Sequence, residues 1–185
     1  MLGLGDIGPE AGLPVMEGKG IFFKYLGGVV PFPYALDTKD PDVFIQTAAR
    51  RSTFGGFNLE DISQPKCFRI LDTLREECHI PVWHDDQQGT AAVTLAGLIN
   101  AVKIVGKKLE DVKVTLVGAG AANIAIARVI IGGGVRPENI IMTDSKGILH
   151  PDRADAENLK ANYKESGTLP PQRTPTAKQA PSLKP

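Results

Sequence analysis

Apolar residues recur at helical spacing in two segments of the first half of the chain. Between positions 65 and 78, Phe68, Leu71 and Leu74 are three residues apart, so they would form one face of an amphipathic helix. A further helix is predicted from about Pro41 to Arg50. The sequence therefore predicts two helices between residues 41 and 78.

Shorter segments of the first half predict strands and extended chain. Residues 2–9 begin apolar and break into a Gly/Pro turn, which indicates a strand that ends in a loop. Residues 16–28 are compatible with a short helix that ends at a glycine pair. Prolines exclude a helix in residues 29–37, where aromatic and β-branched residues suit a sheet. Residues 55–62 and 80–86 each predict a short strand followed by a loop.

A long helix is predicted from Thr90 to near Gly106, because four apolar residues follow a helical stripe: Ala91, Leu95, Leu98 and Val102. Asp85 and Asp86 then lie in the loop between a strand and this helix, where α/β proteins place ligand-binding groups. An acidic helix cap is the simpler interpretation of this pair. Capping accounts for one of the two carboxylates.

Residues 112–144 carry the pattern of a βαβ unit. A β-rich run is followed by a glycine turn, an apolar helix that stops at Gly132–Gly134, and a second strand over 139–144. This order predicts an α/β fold. After about Tyr163 the composition changes to a Pro-rich, polar segment, and residues 164–185 are predicted to be a disordered tail.

Composition narrows the possible partners. The 185 residues include 21 basic and 21 acidic side chains, so no net charge favours nucleic acid or an anionic membrane. The sequence contains neither a long apolar run nor a signal-peptide pattern, and we expect a cytoplasmic protein. Cys67 and Cys78 lack metal-ligand spacing and are expected to be reduced.

The segment "GAGAAN" has the context of a dinucleotide-binding turn. It follows a strand and opens a helix, so backbone N–H groups would face a pyrophosphate, and an aspartate ends the next strand, where a ribose hydroxyl is held. The alternative is a tight turn without a ligand. Asn123 stands where the fingerprint has Gly or Ala, which predicts a looser helix–strand contact. The candidate cofactor-binding residues are Gly118, Gly120, Ala121, Ala122, Asn123 and Asp144.

Two acidic pairs and one lysine are further candidates for chemistry. Glu60–Asp61 and Asp85–Asp86 follow predicted strands, and their oxygens suit Mg²⁺ or Mn²⁺. Taken alone, such pairs are more often solvated surface features. Lys19 lies between two glycines, which suits an exposed turn or a residue directed into a cleft. As a base it would need a lowered pKa.

Five motifs in order along the chain resemble the malic enzyme family of the bacterial or archaeal type: "GLGDIGP", "VMEGKGIFFK", "TFGGFNLEDIS", "IPVWHDDQQGTA" and "VGAGAANIA". The resemblance covers about residues 2–163. It implies oxidative decarboxylation of L-malate to pyruvate and CO₂ with NAD⁺ or NADP⁺ and a divalent metal, and a homo-oligomer for the full-length family. Asp144 favours NAD⁺ because its carboxylate would repel a 2′-phosphate, whereas Ser145 and Lys146 could accommodate that phosphate, which leaves NADP⁺ as the alternative.

The same resemblance implies roles for individual residues. Lys19 matches the catalytic lysine that takes the proton of the malate hydroxyl. Glu60, Asp61 and Asp86 match the three metal-binding carboxylates, for Mg²⁺ or Mn²⁺. Asp85 matches a neighbour that supports the metal site or handles a proton.

The resemblance also implies a division of the chain. Residues 1–88 are expected to be the end of an N-terminal substrate and metal domain, and residues 89–163 the first βαβ of a Rossmann-like NAD(P)-binding domain. In the family, a tyrosine upstream of "GLGDIG" acts as the acid that protonates C3. Tyr25, Tyr34 and Tyr163 do not match the position of that tyrosine. We therefore expect a central piece of such an enzyme, impaired in isolation. A dinucleotide-binding module without turnover and a non-functional piece are the alternatives.

Overall fold

The computed structural model describes residues 4–50 and 53–158, which form two compact units that meet in sequence between His84 and Asp85. The predicted tail, residues 164–185, lies outside the described residues. Helices and strands alternate, so the chain is α/β. In the described residues, no helix is both long and apolar enough to cross a lipid bilayer. Cys67 and Cys78 are free thiols, as expected.

The first unit contains three helices and a pair of parallel strands. Its elements are α1 (Gly8–Gly27), α2 (Pro41–Ala49), β1 (Phe57–Leu59), α3 (Lys66–Glu77) and β2 (Val82–His84). Leu59 of β1 is paired with His84 of β2, so the two strands end together. The strands and the helices α2 and α3 share one apolar core, with Ile45, Leu59, Ile70, Leu71, Leu74 and Val82 among its buried members.

The helix α3 confirms the prediction from apolar spacing. Phe68, Leu71 and Leu74 are all buried, which places the predicted face against the core. The prediction for α2 is also confirmed. Asp40 caps α2, because its side chain accepts a hydrogen bond of 2.8 Å from the Asp42 N–H.

The predicted strand over residues 2–9 is wrong for the described positions. Helix α1 begins at Gly8, and Pro9 lies in its first turn, where the missing N–H removes no helical hydrogen bond. A Gly/Pro pair that is typical of a turn also suits a helix start. The predicted end of the helix is confirmed, because Gly28 has φ +67° and donates its N–H to the Lys24 carbonyl at 3.1 Å.

Residues 29–37 are non-helical, as predicted, but they form no strand. Pro31 and Pro33 have no N–H to contribute to a sheet. They lie against α1 at Gly20 instead, where an added Cβ would be 3.4 Å from the Pro31 side chain. The segment is therefore held by side-chain packing on a helix.

The second unit begins with a π-helical turn, Asp85–Gly89, that leads directly into α4 (Thr90–Ile104). It continues through a 3₁₀ turn (Leu109–Asp111), β3 (Val114–Val117), α5 (Ala121–Gly132), a 3₁₀ turn (Pro137–Asn139), β4 (Ile140–Asp144) and β5 (Gly147–Ile148). The strands β3 and β4 are parallel and flank α5, which confirms the predicted βαβ unit. The short antiparallel strand β5 was not predicted.

The core of the second unit is formed largely by α5 and the strand β4. Ile124, Ala127 and Ile130 of α5 are almost fully buried, and so is Met142 of β4. Helix α4 approaches the end of α5 closely, because a Cβ at Gly133 would lie 2.7 Å from a methyl carbon of Leu95. This packing holds the C-terminal end of α5 against α4.

Candidate functional site

The first unit brings two predicted site residues into direct contact. Lys19 of α1 and Glu60, which follows β1, form an ion pair with 3.2 Å between Nζ and Oε2. The Lys19 side chain is 28% exposed and that of Glu60 is 9% exposed. A lysine that stays partly accessible beside a largely buried carboxylate can meet a small substrate from one side.

Asn58 of β1 is a further member of this cluster that the sequence analysis did not identify. Its Nδ2 donates a hydrogen bond of 3.0 Å to the same Oε2 atom of Glu60. Its Oδ1 is buried without a hydrogen-bond partner within the described structure. The sequence signal for Asn58 is its position two residues before Glu60, because side chains two residues apart along a strand point to the same face.

Asp61 adopts a backbone conformation that is uncommon for a residue with a side chain. Its φ is +56°, and it is the one non-glycine residue with positive φ in the described part of the chain. Aspartate tolerates this region better than most residues, and such conformations cluster at functional sites. The chain therefore turns sharply just after the carboxylate of Glu60.

Asp85 and Asp86 lie in the π-helical turn rather than in the predicted loop. Helix α4 begins at Thr90, and its N-cap residue, Gly89, has no side chain that could accept a hydrogen bond from the first N–H groups. Gln87 within the turn and His84 before it are buried. π-Helical turns are rare and frequent at functional sites.

The donor atoms at the end of β1 suit a hard divalent cation. Glu60 and Asp61 supply carboxylate oxygens, and Asn58 has a buried amide oxygen without a hydrogen-bond partner. Oxygen ligands of this kind are what Mg²⁺ and Mn²⁺ prefer. Across the described ranges, no three His, Cys, Asp or Glu residues are grouped as metal ligands. Asp86, the third carboxylate that the resemblance assigns to the metal, belongs to the second unit.

The glycine turn of the second unit has room for a ligand. Gly118 has φ +101°, and its N–H donates to the Thr143 carbonyl at 2.9 Å. A Cβ on Gly120 would meet nothing within 4 Å, so the space beside the turn is open. Helix α5 begins at Ala121 and Ala122 without a side-chain cap, as an anion-binding N-terminus requires.

Asn123 bridges the turn with its side chain, and the predicted looser helix–strand contact stays a prediction. Its Nδ2 donates to the carbonyl oxygens of Val117 at 2.8 Å and Gly118 at 2.9 Å. A side-chain amide therefore connects the first turn of α5 to the end of β3. It substitutes for the direct backbone approach that Gly or Ala would allow.

Asp144 ends β4 and is held from two sides. Its Oδ1 accepts the Lys146 N–H at 2.8 Å, and its Oδ2 lies 3.0 Å from Arg153 Nη2. Arg153, with a side chain only 8% exposed, also donates two hydrogen bonds of 2.9 Å to Asp155. Lys146 Nζ is 2.8 Å from Asp155. Arg153 and Asp155 lie in a later loop, and no sequence pattern indicated them.

This cluster changes the acidity of both aspartates. Burial raises the pKa of Asp144, but hydrogen bonds from Arg153 and the Lys146 N–H outweigh it, so its pKa lies below the usual aspartate value. Hydrogen bonds from Arg153 and Lys146 lower the pKa of Asp155. Both carboxylates are therefore ionised at neutral pH.

Two family profiles match successive parts of the chain. The profile described as the malic enzyme N-terminal domain matches residues 1–75. The profile described as the malic enzyme NAD binding domain matches residues 87–173. Together the two matches include every candidate residue except Asp85 and Asp86, which both lie in the gap between them.

Individual relatives give the same result. An NAD-dependent malic enzyme of Geobacillus stearothermophilus is 58% identical over 82% of this chain and 32% of its own length. An NADP-dependent malic enzyme of Halomonas elongata is 48% identical over 88% of this chain and 39% of its own. The crystal structure of Entamoeba histolytica malic enzyme superposes with a TM-score of 0.83 at 48% identity, covering 89% of this chain and 35% of that one.

The chain thus spans between about a third and two fifths of the length of these relatives. The matched profiles, the identities and the shared fold agree with the five motifs and with the βαβ unit. The chain belongs to the malic enzyme family.

Proposed function

We propose that this chain contributes the base, the metal ligands and the dinucleotide turn for oxidative decarboxylation of L-malate to pyruvate and CO₂, with reduction of NAD⁺ or NADP⁺. The observation that carries the proposal is the 3.2 Å ion pair between Lys19 and Glu60. It joins the residue that matches the family's base to one that matches its metal ligands. A merely solvated lysine would not lie against a largely buried carboxylate.

Lys19 acts as the general base in this proposal. Nζ in its unprotonated form would take the proton from the C2 hydroxyl of malate, and a bound NAD⁺ or NADP⁺ would supply the acceptor for the C2 hydride. Glu60 positions the Lys19 side chain, because its Oε2 lies 3.2 Å from Nζ, and Asn58 holds Glu60 by donating a hydrogen bond to the same oxygen. Lysine suits the role because its pKa responds to neighbouring charge and burial, whereas arginine stays protonated.

Glu60, Asp61 and Asp86 are the proposed ligands of Mg²⁺ or Mn²⁺. A bound divalent cation supplies Lewis-acid chemistry to the hydroxyl and ketone oxygens of the substrate. Support comes from the sheet, since β1 and β2 are parallel and end together, and each is followed in the chain by two carboxylates. Asp85 is proposed to support this site or to handle a proton beside it.

The proposed cofactor site extends from Gly118 to Asn123 and includes Asp144. Backbone N–H groups at the start of α5 bind the pyrophosphate, and the Asp144 carboxylate accepts hydrogen bonds from a ribose. We favour NAD⁺ because a carboxylate repels a 2′-phosphate. The Arg153 guanidinium beside Asp144, and the Lys146 ammonium, which pairs with Asp155, reduce that repulsion, so the preference is small.

The remaining proposals concern organisation and surroundings. We propose a substrate and metal domain over residues 1–88 and an NAD(P)-binding domain over 89–163; the gap between the two profile matches and the separation of compact units after His84 support a boundary there. We also propose a cytoplasmic protein without nucleic acid or membrane partners, and a homo-oligomer for the full-length members of the family. Balanced charge supports the absence of those partners.

The test uses this chain extended at both ends with the corresponding segments of a homologous malic enzyme. With L-malate, Mn²⁺ and NAD⁺ or NADP⁺, absorbance of the reduced nicotinamide should rise, and Lys19→Ala should remove the rise. Lys24→Ala, an exposed lysine of the same helix, is the matched control and should retain activity. Equal activity of the two variants would refute the role of Lys19.

A second candidate function is dinucleotide binding without turnover. The complete glycine turn within the second unit favours it, because that turn does not depend on Lys19 or on the carboxylates of the first unit. A calorimetric titration of the 185-residue chain with NAD⁺ distinguishes the two. If the 185-residue chain binds NAD⁺ but the extended protein does not turn over malate, only this second function remains.

A further inference from the structure

Gly89 contacts the Asp85 side chain in a way that no other residue type would permit. A Cβ added to Gly89 would overlap Asp85 Oδ1 and lie 2.9 Å from Asp85 Cγ. Real carbon atoms in contact are about 3.5–4 Å apart. The Asp85 carboxylate therefore occupies the space that a side chain at position 89 would fill.

Backbone conformation does not explain this glycine. Gly89 has φ −63° and ψ −52°, values that every residue adopts in a helix. Glycine in such a position lowers helix stability relative to alanine. The lack of a side chain is therefore the property that distinguishes Gly89 from alanine here.

The geometry of helical side chains explains why position 89 faces Asp85. Each Cα–Cβ bond points toward the N-terminal end of a helix, and residues four apart lie on the same face. A Cβ at 89 is thus directed at the residue one turn earlier, which is Asp85. Asp86 has β-branched Thr90 at the corresponding position, so the arrangement does not repeat for the second aspartate.

We propose that Gly89 is a positioning residue for Asp85. It leaves the space in which the carboxylate of Asp85 is held, and any side chain at 89 forces that carboxylate into another rotamer. The inference deepens the proposed function and rests on it where Asp85 is assigned to the metal site. The steric coupling of the two positions itself is independent of any activity.

The test is a double-mutant cycle on the full chain, with Gly89→Ala, Asp85→Ala, the double variant, and Gly97→Ala as control. Gly97 is in α4, and a Cβ there would meet nothing within 4 Å. Gly97→Ala should raise the thermal unfolding midpoint by about 1–4 °C, since alanine stabilises a helix over glycine. Gly89→Ala should give a similar rise in the Asp85→Ala chain.

In the chain that retains Asp85, Gly89→Ala should fall short of that rise by about 2 °C or more. The ¹³C resonance of the Asp85 carboxyl carbon should also move, while that of Asp111 stays in place. If Gly89→Ala fails to fold, the double variant should still fold. Equal rises in both backgrounds, an unmoved Asp85 resonance, or failure of both variants to fold would overturn the proposal.

A Mn²⁺ titration of the extended protein separates this inference from the proposed function. Asp86→Asn should weaken Mn²⁺ binding about tenfold or more, the scale of a lost ligand or supporting group. If Mn²⁺ binds neither the extended protein nor its Asp86→Asn variant, the proposed metal site is wrong. The coupling between positions 85 and 89 would still stand or fall on the unfolding midpoints and the carboxyl resonance.

Discussion

The two units each hold a strand-end carboxylate against a cation, but with different kinds of cation. Glu60 pairs with Lys19, whose side chain is 28% exposed. Asp144 pairs with Arg153, whose side chain is 8% exposed and is bound to a second carboxylate. Lysine can lose its proton when its surroundings change, whereas arginine remains charged in proteins. The first pair is therefore suited to chemistry, and the second to holding a binding residue in place.

The largest expected effect tests the chemical half of this comparison. In the extended protein, Lys19→Arg should keep the charge beside Glu60 but remove the base. Malate-dependent formation of reduced nicotinamide should fall about 10²–10⁴-fold, the range for loss of a general base. Steady-state kinetics provide the measurement. Activity within a few-fold of the unsubstituted protein would show that the ion pair, and not proton transfer, is what Lys19 provides.

The next effect tests the binding half. Gly120→Val should abolish dinucleotide binding in a calorimetric titration, because the valine side chain fills the space intended for the pyrophosphate. The fold should tolerate it, since a Cβ at Gly120 meets nothing within 4 Å in the described structure. Gly132→Val, at the other end of α5 and also open, is the control. Unchanged NAD⁺ affinity in Gly120→Val would remove the cofactor assignment.

A smaller effect concerns the side chain that fixes the turn. Asn123→Ala removes two hydrogen bonds, each worth about 0.5–1.5 kcal/mol, so the free energy of unfolding should fall by about 1–3 kcal/mol. Asn100→Ala, which removes one exposed bond to the Ala96 carbonyl in α4, should change it less. Urea unfolding measures both. Equal losses would mean that Asn123 does not hold the turn.

The smallest effect is the pH dependence of the cluster around Arg153. The pKa values of Asp144 and Asp155 are lowered by folding, so their contribution is present above about pH 4, the ordinary aspartate value, and is lost as pH falls through the folded values. Unfolding midpoints measured from pH 5 to pH 2 should therefore fall less steeply in Asp155→Asn than in the unsubstituted chain. Identical slopes would contradict the assignment.

Some elements could be predicted from the sequence because local pattern and packing agree. The stripe of Phe68, Leu71 and Leu74 is apolar on one face alone, and that face meets the core. The order of β3, α5 and β4 has both the glycine turn and the apolar helix of a βαβ unit. In these segments few other secondary structures fit the pattern of apolar residues and glycines.

Other features depend on contacts that the linear sequence does not contain. The π-helical turn at Asp85 has no composition signature, because its register is a matter of backbone hydrogen bonding. Arg153 reaches Asp144 from nine positions further along the chain through a loop. The spacing of Asn58 two residues before Glu60 could suggest a shared face, but the hydrogen bond between them is known only from the structure. The roles in the site were predicted from family resemblance, and these supporting residues were not.

The hydrogen bond from Gly118 to Thr143 makes the glycine turn and the end of β4 one rigid template. The residue after Thr143 is Asp144, so the sheet itself fixes the separation between the turn that is proposed to bind a pyrophosphate and the carboxylate that is proposed to bind a ribose. A dinucleotide that binds here would order little of the protein at this point, because folding has already fixed both anchors. Preorganisation of this kind raises affinity by lowering the entropy lost on binding, and it selects ligands by the distance between their phosphate and their sugar.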